Sequence, residues 1–490
     1  MMRRKTKKRS FDNISWGGKV FVTVFVLIVI VLNSEFLEVY AEIYSNLDLK
    51  EHIIPLKTTK AGSGFEDLEP LKEILKDKKI VAMGEATHGT KEFFEMKHRM
   101  FEFLVEEMGY RAFAIEAGFG ESQRINDYIL SGDGNAYDAT QTLSYGVWHT
   151  EEVLRLIEWM RDYNQSSNNA EKIRFYGFDM KPVTNDVDAV IAYLEKIDKE
   201  IDLKYQSSLN AIRKREKINI NIIEELKDIL EENKESYIDQ TSILEYETVY
   251  HHLEVINQWM NFREVTDFID SANKRDQYMA ENVKWIFDYE KHFNNDKIML
   301  WAHNGHVNKK FTSYKSMGEH LKEAYDENLY AIGFDFYKGS FMSLPGNILS
   351  KVIANKMAQF TIKKGYDKSF AAVFERAKIP LGFMDFKLAS KDRQIYEWLS
   401  QEQYVRSIGS TYSGRYIPWF APEIPMESYD GIIYVEETKA AERMNKEEEI
   451  IDDGDRYLFK YYIIRLFIIV LIFITIVVFI KIKKRKKLIH

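Results

Sequence analysis

Six short stretches stand out in the pattern of apolar and polar positions. "KIVAMGE" near residue 80, "AFAIEA" near 114, "IRFYGFD" near 176, "KIMLWAH" near 300, "YAIGFDF" near 333 and "GIIYVEE" near 433 are runs of apolar, often β-branched or aromatic residues. Most are too continuously apolar to keep one face in water. They predict strands covered on both sides, as in a mainly parallel sheet. Amphipathic stretches lie between them. Thr90 to Met108 carries Phe94, Phe101, Leu104 and Met108 at helical spacing, with Thr90 placed to cap the helix. Another helix is expected to open at Thr150, where Glu151 and Glu152 suit the positive end of a helix dipole. The expected fold class is α/β, a mainly parallel sheet core flanked by helices.

From about Thr184 to Phe293 the pattern changes: strand signals vanish and charge rises, while Ile243, Tyr246, Val249, Leu253, Ile256 and Met260 recur every three or four residues. This predicts a helical insertion over residues 184–293, dividing the α/β domain into a first part, 42–183, and a second, 294–438. The charged stretch 439–459 reads as a solvated linker.

The two ends predict membrane segments. A basic start, MMRRKTKKRS, precedes the apolar run Val20 to Leu32 and then NSEFLEVYA, the order of a signal peptide or an uncleaved N-terminal membrane anchor over residues 1–41. From Leu466 to Ile480 the only polar residue is Thr475, and Tyr461 to Ile464 extend the run beyond Arg465. A span needs roughly 20 apolar residues for ~30 Å of hydrocarbon. A transmembrane helix over 460–482 is therefore expected, with Arg465 snorkelling outward and Tyr461 and Tyr462 at the outer headgroup level. The basic tail, 483–490, stays in the cytoplasm by the positive-inside bias, so the expected location is the cell membrane, with residues 42–455 extracytoplasmic.

Charge and composition narrow the chemistry. Lys+Arg 68 against Asp+Glu 76 gives a formal −8, with the positive charge concentrated at the ends, so no nucleic-acid partner is expected. Cysteine is absent, which excludes disulfides, Cys-ligated zinc and a thiol nucleophile.

Candidate chemistry collects where the predicted strands end. Glu85 and His88 stand on a turn after the first strand, Glu116 closes "AFAIEA", Asp179 closes "IRFYGFD", and His303 and His306 follow "KIMLWA". In parallel α/β sheets the ligand crevice lies outside the carboxyl ends of the strands. One such residue would be structural or solvated more often than functional; several together exceed what turns require. Histidine, with an ordinary pKa near ~6.5, can take a proton from water and return it to a leaving group, which is typically worth about 10²–10⁴ in rate. Arg275, in "NKRDQYMAEN", suits a substrate clamp, although spacing alone equally allows a surface arginine paired with Asp276 or Glu281. Three readings follow. His88 is a metal-free base; or His303, His306, His88 and a glutamate hold zinc or manganese in a metal-dependent envelope hydrolase; or the chain is a non-catalytic, membrane-held binding protein. "HNGH" lacks the helix-borne HExxH arrangement.

Taken in order, "GEATHGTKEFFEMKHRMFEFLVEEMGYRAFAIEAGF", "YGVWHTEEVLRLIEWMRDYN", "FYGFDM", "RDQYMAENVKW" and "LWAHNGHV" resemble the erythromycin esterase family over about residues 50 to 435. The resemblance implies an α/β core with an added helical region, and opening of an ester or macrolactone by water with no cofactor or metal. Carried over, His88 resembles the general base and Glu85 and Glu116 the carboxylates around it. His303 and Arg275 resemble residues that orient water or substrate, and His306 and Trp148 match motif positions assigned here to substrate binding. The implied partner is a small-molecule ester or lactone. An exported, tethered member could act on incoming macrolide, on an acylated envelope polymer, or on a lactone from another organism.

Overall fold

The six apolar runs form six adjacent parallel strands. The computed structural model describes residues 47–465 except 167–170, 217–218, 220, 347–351, 415–418, 446–450 and 452, together with Thr475. Its strands are β1 (Ile54–Pro55), β2 (Ile80–Met83), β3 (Ala112–Gly118), β4 (Arg174–Asp179), β5 (Ile298–Trp301), β6 (Leu329–Pro345), β7 (Ala358–Ile362), β8 (Leu381–Asp385), β9 (Gln403–Arg406), β10 (Thr411–Tyr412), β11 (Phe420–Glu423) and β12 (Gly431–Thr438). The sheet runs β1-β8-β12-β6-β2-β5-β3-β4. The stretch from β12 to β4 is parallel throughout, and β8 and β1 close the other edge antiparallel.

Burial on both faces explains the unbroken apolar runs. Every residue of β2, β3, β4 and β5 is buried. Alternate side chains, Val81, Met83, Phe113, Ile115, Met299 and Trp301, join the main core cluster, to which the helices Lys91–Met108 and Glu151–Ser166 also contribute. Thr150 caps the second of these by accepting the Val153 N–H. Thr90 stands at the N-cap of the first, but its hydroxyl pairs with Thr87 and caps nothing, so the expected cap is not made there.

Between β4 and β5 the described chain is helical: Thr184–Ile197, Lys199–Arg213, Asn221–Glu232, Lys234–Gln240, Ile243–Arg263 and Phe268–Tyr289. Asp198, Ser242 and Asp267 cap three of these helices through side-chain oxygens. The helices share a separate core that includes Val187, Leu209, Leu226, Leu253 and Ile256. After it the chain re-enters the sheet as β5, between β2 and β3.

Two differences from the sequence reading concern the C-terminal third. The strands β7 to β11 escape notice because they are brief, at most five residues, and β11 carries Pro422. The stretch after β12, expected as a free linker, instead packs on the body. The Lys439 carbonyl accepts the Lys91 N–H, Ala441 donates to the Gly89 carbonyl and Glu442 accepts from Glu151, so the first residues of the stretch strap the turn that carries His88. Further on, Ile451 pairs with Ala358, and residues 454–465 are helical with Leu458 buried in the main core. No helix among the described residues is long and apolar enough to cross a membrane. The N-terminal segment 1–41 and all but Thr475 of the apolar run 466–480 lie outside the described residues.

Candidate active site

Strand register places the candidate residues at one height. Met83 pairs with Trp301, Trp301 with Ile115, and Ile115 with Gly177, which makes a level row across β2, β5, β3 and β4. Glu85, His303 and Asp179 stand two residues beyond that row, and Glu116 one residue beyond it. The sheet therefore delivers four side chains from distant parts of the sequence to one crevice, at the carboxyl ends where the strand order turns back.

The turn after β2 is held by backbone from four directions. Gly84 donates to Ile332, the Glu85 carbonyl accepts from Asn304, Ala86 accepts from Ile408, and Gly89 accepts from both Met342 and Ala441. The two glycines are steric requirements: a Cβ on Gly84 would strike the Asn304 side chain, and one on Gly89 would strike the Met342 carbonyl.

On this turn His88 Nδ1 meets Glu85 Oε1 at 2.6 Å. The other Glu85 oxygen accepts from Lys97 Nζ at 2.8 Å and Trp301 Nε1 at 2.7 Å, all within a fully buried setting. Lys97 sits among the rings of Phe334, at 4.6 Å, and Trp301, at 4.8 Å; burial pushes its ammonium down to about 8 against the pull of Glu85. A carboxylate so fixed orients His88, whose Nδ1 carries the proton and whose Nε2 is the basic nitrogen. That Nε2 bonds to none of the described residues and is not among the sealed, unpaired atoms. Trp148 packs edge-on against the imidazole with centroids 5.6 Å apart, and His303 lies 5.2 Å away on another side.

His303 is held as a neutral ring. Burial lowers it to about 3, helped by the neighbouring His88 and His306 and opposed by Glu116 and a hydrogen bond to the Ala86 carbonyl. Its Nδ1 accepts the Gly305 N–H at 3.2 Å, and the Gly409 N–H approaches Nε2 at 3.3 Å. Its backbone N–H donates to Glu116 Oε2 at 3.0 Å.

Around Glu116 lies an ionic network. Arg275 donates to Glu116 at 2.8 Å and to Asp179 at 2.7 and 3.1 Å, so it pairs across the crevice and not with Asp276 or Glu281. His306 bridges Asp276, at 2.9 Å from Nδ1, and Glu116, at 3.2 Å from Nε2. Burial opposes charge on His306, but these two carboxylates overcome it and push the ring up to about 10. The protonated ring donates through both nitrogens, so its 3.0 Å approach to Arg275 is a contact between two donors. Burial would likewise raise Glu116, yet His306 and Arg275 hold it well below the usual carboxylate range. Trp148, only 1% exposed, spends its N–H on the Glu116 carbonyl at 3.2 Å.

The structure thus brings together all seven residues singled out from sequence: Glu85, His88, Glu116, His303, Arg275, His306 and Trp148. Asp179, already placed at a strand end by the sequence, joins them, and the structure adds Lys97, Trp301 and Asp276. Lys97 was legible, since it falls between Phe94 and Phe101 on the apolar stripe of its helix, where a charge demands a partner. Trp301 carried no such signal. Among the described residues no group of three His, Asp or Glu has a metal-holding arrangement.

A profile of the family described as erythromycin esterase matches residues 105–438, more than half of the chain. Erythromycin esterase type II of Escherichia coli is 26% identical over 382 residues, covering 71% of this chain and 90% of that protein. A putative hydrolase of Bacillus subtilis is 27% identical over 433 residues, covering 79% of this chain and 90% of its own length. The crystal structure of a succinoglycan biosynthesis protein superposes with a TM-score of 0.68 at 26% identity, covering 82% of this chain and 98% of that one. The chain belongs to the erythromycin esterase family.

Proposed function

We propose that this chain is an ester hydrolase in which His88 activates water. The observation that carries the reading is the Glu85–His88 pair at 2.6 Å with Nε2 free of described partners, set at the strand ends beside His303. Water bound against Nε2 gives up a proton as its oxygen attacks the ester carbonyl carbon. The carbonyl electron pair moves to oxygen, where the half-buried cations Arg275 and His306, gathered around Glu116, are assigned to favour that negative charge. Collapse of the tetrahedral species breaks the bond to the alkoxide, which takes the proton back from His88. Glu85 stabilises the imidazolium in between. His303, neutral and fixed by backbone, positions the water.

The same proposal places the enzyme at the cell membrane, with the sheet and helices outside. Support comes from the apolar run 466–480 with its basic tail, and from the helix that precedes it. Ile463 and Ile464 on that helix are 49% and 58% exposed, a high apolar exposure for a region that meets only water. A substrate met there is an incoming macrolactone or an acylated envelope polymer.

The test incubates the full-length protein with erythromycin, simple aryl esters and an acylated polysaccharide, and follows products by mass spectrometry. Gain of one water by any of them, unchanged by chelator, is the expected result. Turnover that stops with chelator would overturn the metal-free mechanism, and inertness toward all three would leave a binding protein.

A further inference from the structure

A cavity of about 980 Å³ lies apart from the catalytic cluster, between β7, β9 and the helix at 454–465. Its walls combine aromatic rings with groups of both charges. Tyr366 and Phe459 are 45% and 54% exposed, and Trp419 and Phe420 join them in the lining. Gln359 and Thr361, alternate residues of β7, face the same space, as do Asp453 and Asp455. At the cavity wall sits Arg406, only 3% exposed. Its guanidinium lies 4.4 Å from the Phe336 ring and 4.9 Å from Phe420, with Nε and Nη2 donating to the Phe336 and Tyr337 carbonyls. Nη1 donates to no described residue, and the nearest carboxylate, Asp335, is 3.9 Å from Nε.

Rings, the Gln359 amide and Thr361 hydroxyl, and one buried guanidinium with an unused donor define a ligand. Ring faces take the C–H face of a sugar, while Gln359 and Thr361 exchange hydrogen bonds with hydroxyls. The guanidinium suits a carboxylate or another acidic substituent. Lys363, Lys364 and Arg456 line the same space and add positive charge, and a bare phosphate or a lipid headgroup would leave the rings unused.

The cavity also communicates with the catalytic turn. From Arg406 the chain passes to Ser407, which donates to Trp419, then to Ile408, which donates to Ala86, and to Gly409, whose nitrogen is 3.3 Å from His303 Nε2. Three residues separate the cavity wall from the catalytic cluster. We propose that this cavity is a polysaccharide subsite, which holds an acidic sugar segment of an acylated envelope polymer while an ester elsewhere on the polymer reaches His88. The proposal rests on the hydrolase reading for its purpose, but not for its test.

Isothermal titration of the full-length protein in detergent micelles uses three probes: a hexasaccharide of alternating glucuronate and N-acetylglucosamine, neutral maltohexaose, and glycerophosphoglycerol as a soluble headgroup. The acidic hexasaccharide is expected to bind at least about tenfold more tightly than the other two. The double variant Tyr366→Ala/Phe459→Ala, at exposed positions, is expected to lose roughly tenfold in that affinity while cleaving a simple aryl ester at the wild-type rate. Arg406→Gln should abolish the preference for the acidic sugar. Absent binding, unchanged affinity in the double variant, equal affinity for maltohexaose, or tighter binding of glycerophosphoglycerol would each overturn the proposal. A protein that binds the sugar but cleaves no ester would sink the hydrolase reading and leave the subsite standing.

Discussion

Glu85–His88 and Asp276–His306 are two histidine–carboxylate pairs, with His88 and His306 a few residues beyond the adjacent strands β2 and β5. The first histidine has one carboxylate, and that carboxylate is shared with Lys97 and Trp301; its second nitrogen is free of described partners. The second has carboxylates at both nitrogens and an arginine alongside. One acid leaves a base that can take and return a proton, whereas two acids make a fixed cation held at about 10. Residue type and spacing therefore do not assign the role; the occupancy of the second ring nitrogen does.

The variant that bears hardest on this contrast is His88→Ala. It should cost about 10²–10⁴ in kcat/KM for an ester substrate, and because it removes a buried ring and leaves the Glu85 carboxylate one partner short, stability should fall by about 1–3 kcal/mol. His306→Gln should cost far less, roughly tenfold, since it weakens charge stabilisation and leaves the base intact. Equal losses measured side by side would break the comparison.

Next comes the acid behind the base. Glu85→Gln strands the fully buried Lys97 ammonium without its carboxylate, and the expected loss of stability is about 3–5 kcal/mol, read from the denaturant midpoint. Adding Lys97→Met should restore most of that stability because the site is already lined by rings, while activity stays depressed. Activity returning with stability in the double variant would mean that Glu85 serves the fold and not His88.

The fixed cation has a signature of its own. The folded value for His306, about 10, lies above the ordinary 6.5, so its stabilising contribution is complete below about pH 6.5 and is lost as pH rises through 10. Lys97 runs the other way: its value is lowered from 10.5 to about 8, and stability gains as pH rises through that interval. The informative quantity is therefore the difference in Tm between wild type and His306→Gln. It should shrink between pH 6.5 and 10, and a constant difference would show that the ring is not held protonated.

What was legible in the sequence follows from the same physics. Burial on both faces leaves runs such as "KIVAM" and "KIMLW" with no other reading, and the strand ends then point to Glu85, Glu116 and His303. The register that brings them level is a property of pairing between distant segments, which no local pattern carries. The strap over Gly89 was hidden for a different reason. Lys439 to Glu442 bind mainly through backbone groups, with the Glu442 carboxylate also paired with Lys91, so the segment's charged side chains look like those of a linker. Lys97 could have been found by asking why a lysine stands in an apolar stripe; the donors Trp301 and Trp148, apolar by composition, raise no such question.

Trp148 offers the smallest effect and the finest discrimination. Sequence matching assigned it to substrate binding, yet it is 1% exposed, lies edge-on to His88 and donates to the Glu116 carbonyl. A side chain so placed shapes the back wall of the site and reaches no ligand unless the wall opens. Trp148→Phe keeps a ring beside His88 and removes one neutral hydrogen bond, for a stability loss of about 1 kcal/mol. If the residue is wall, kcat falls by no more than a few fold and KM is unmoved, because the surface met by substrate is the same. If it touches substrate, KM rises while the pH profile of kcat holds. Steady-state kinetics on one ester across pH separates the two, and a KM change there would place Trp148 with the substrate-facing residues after all.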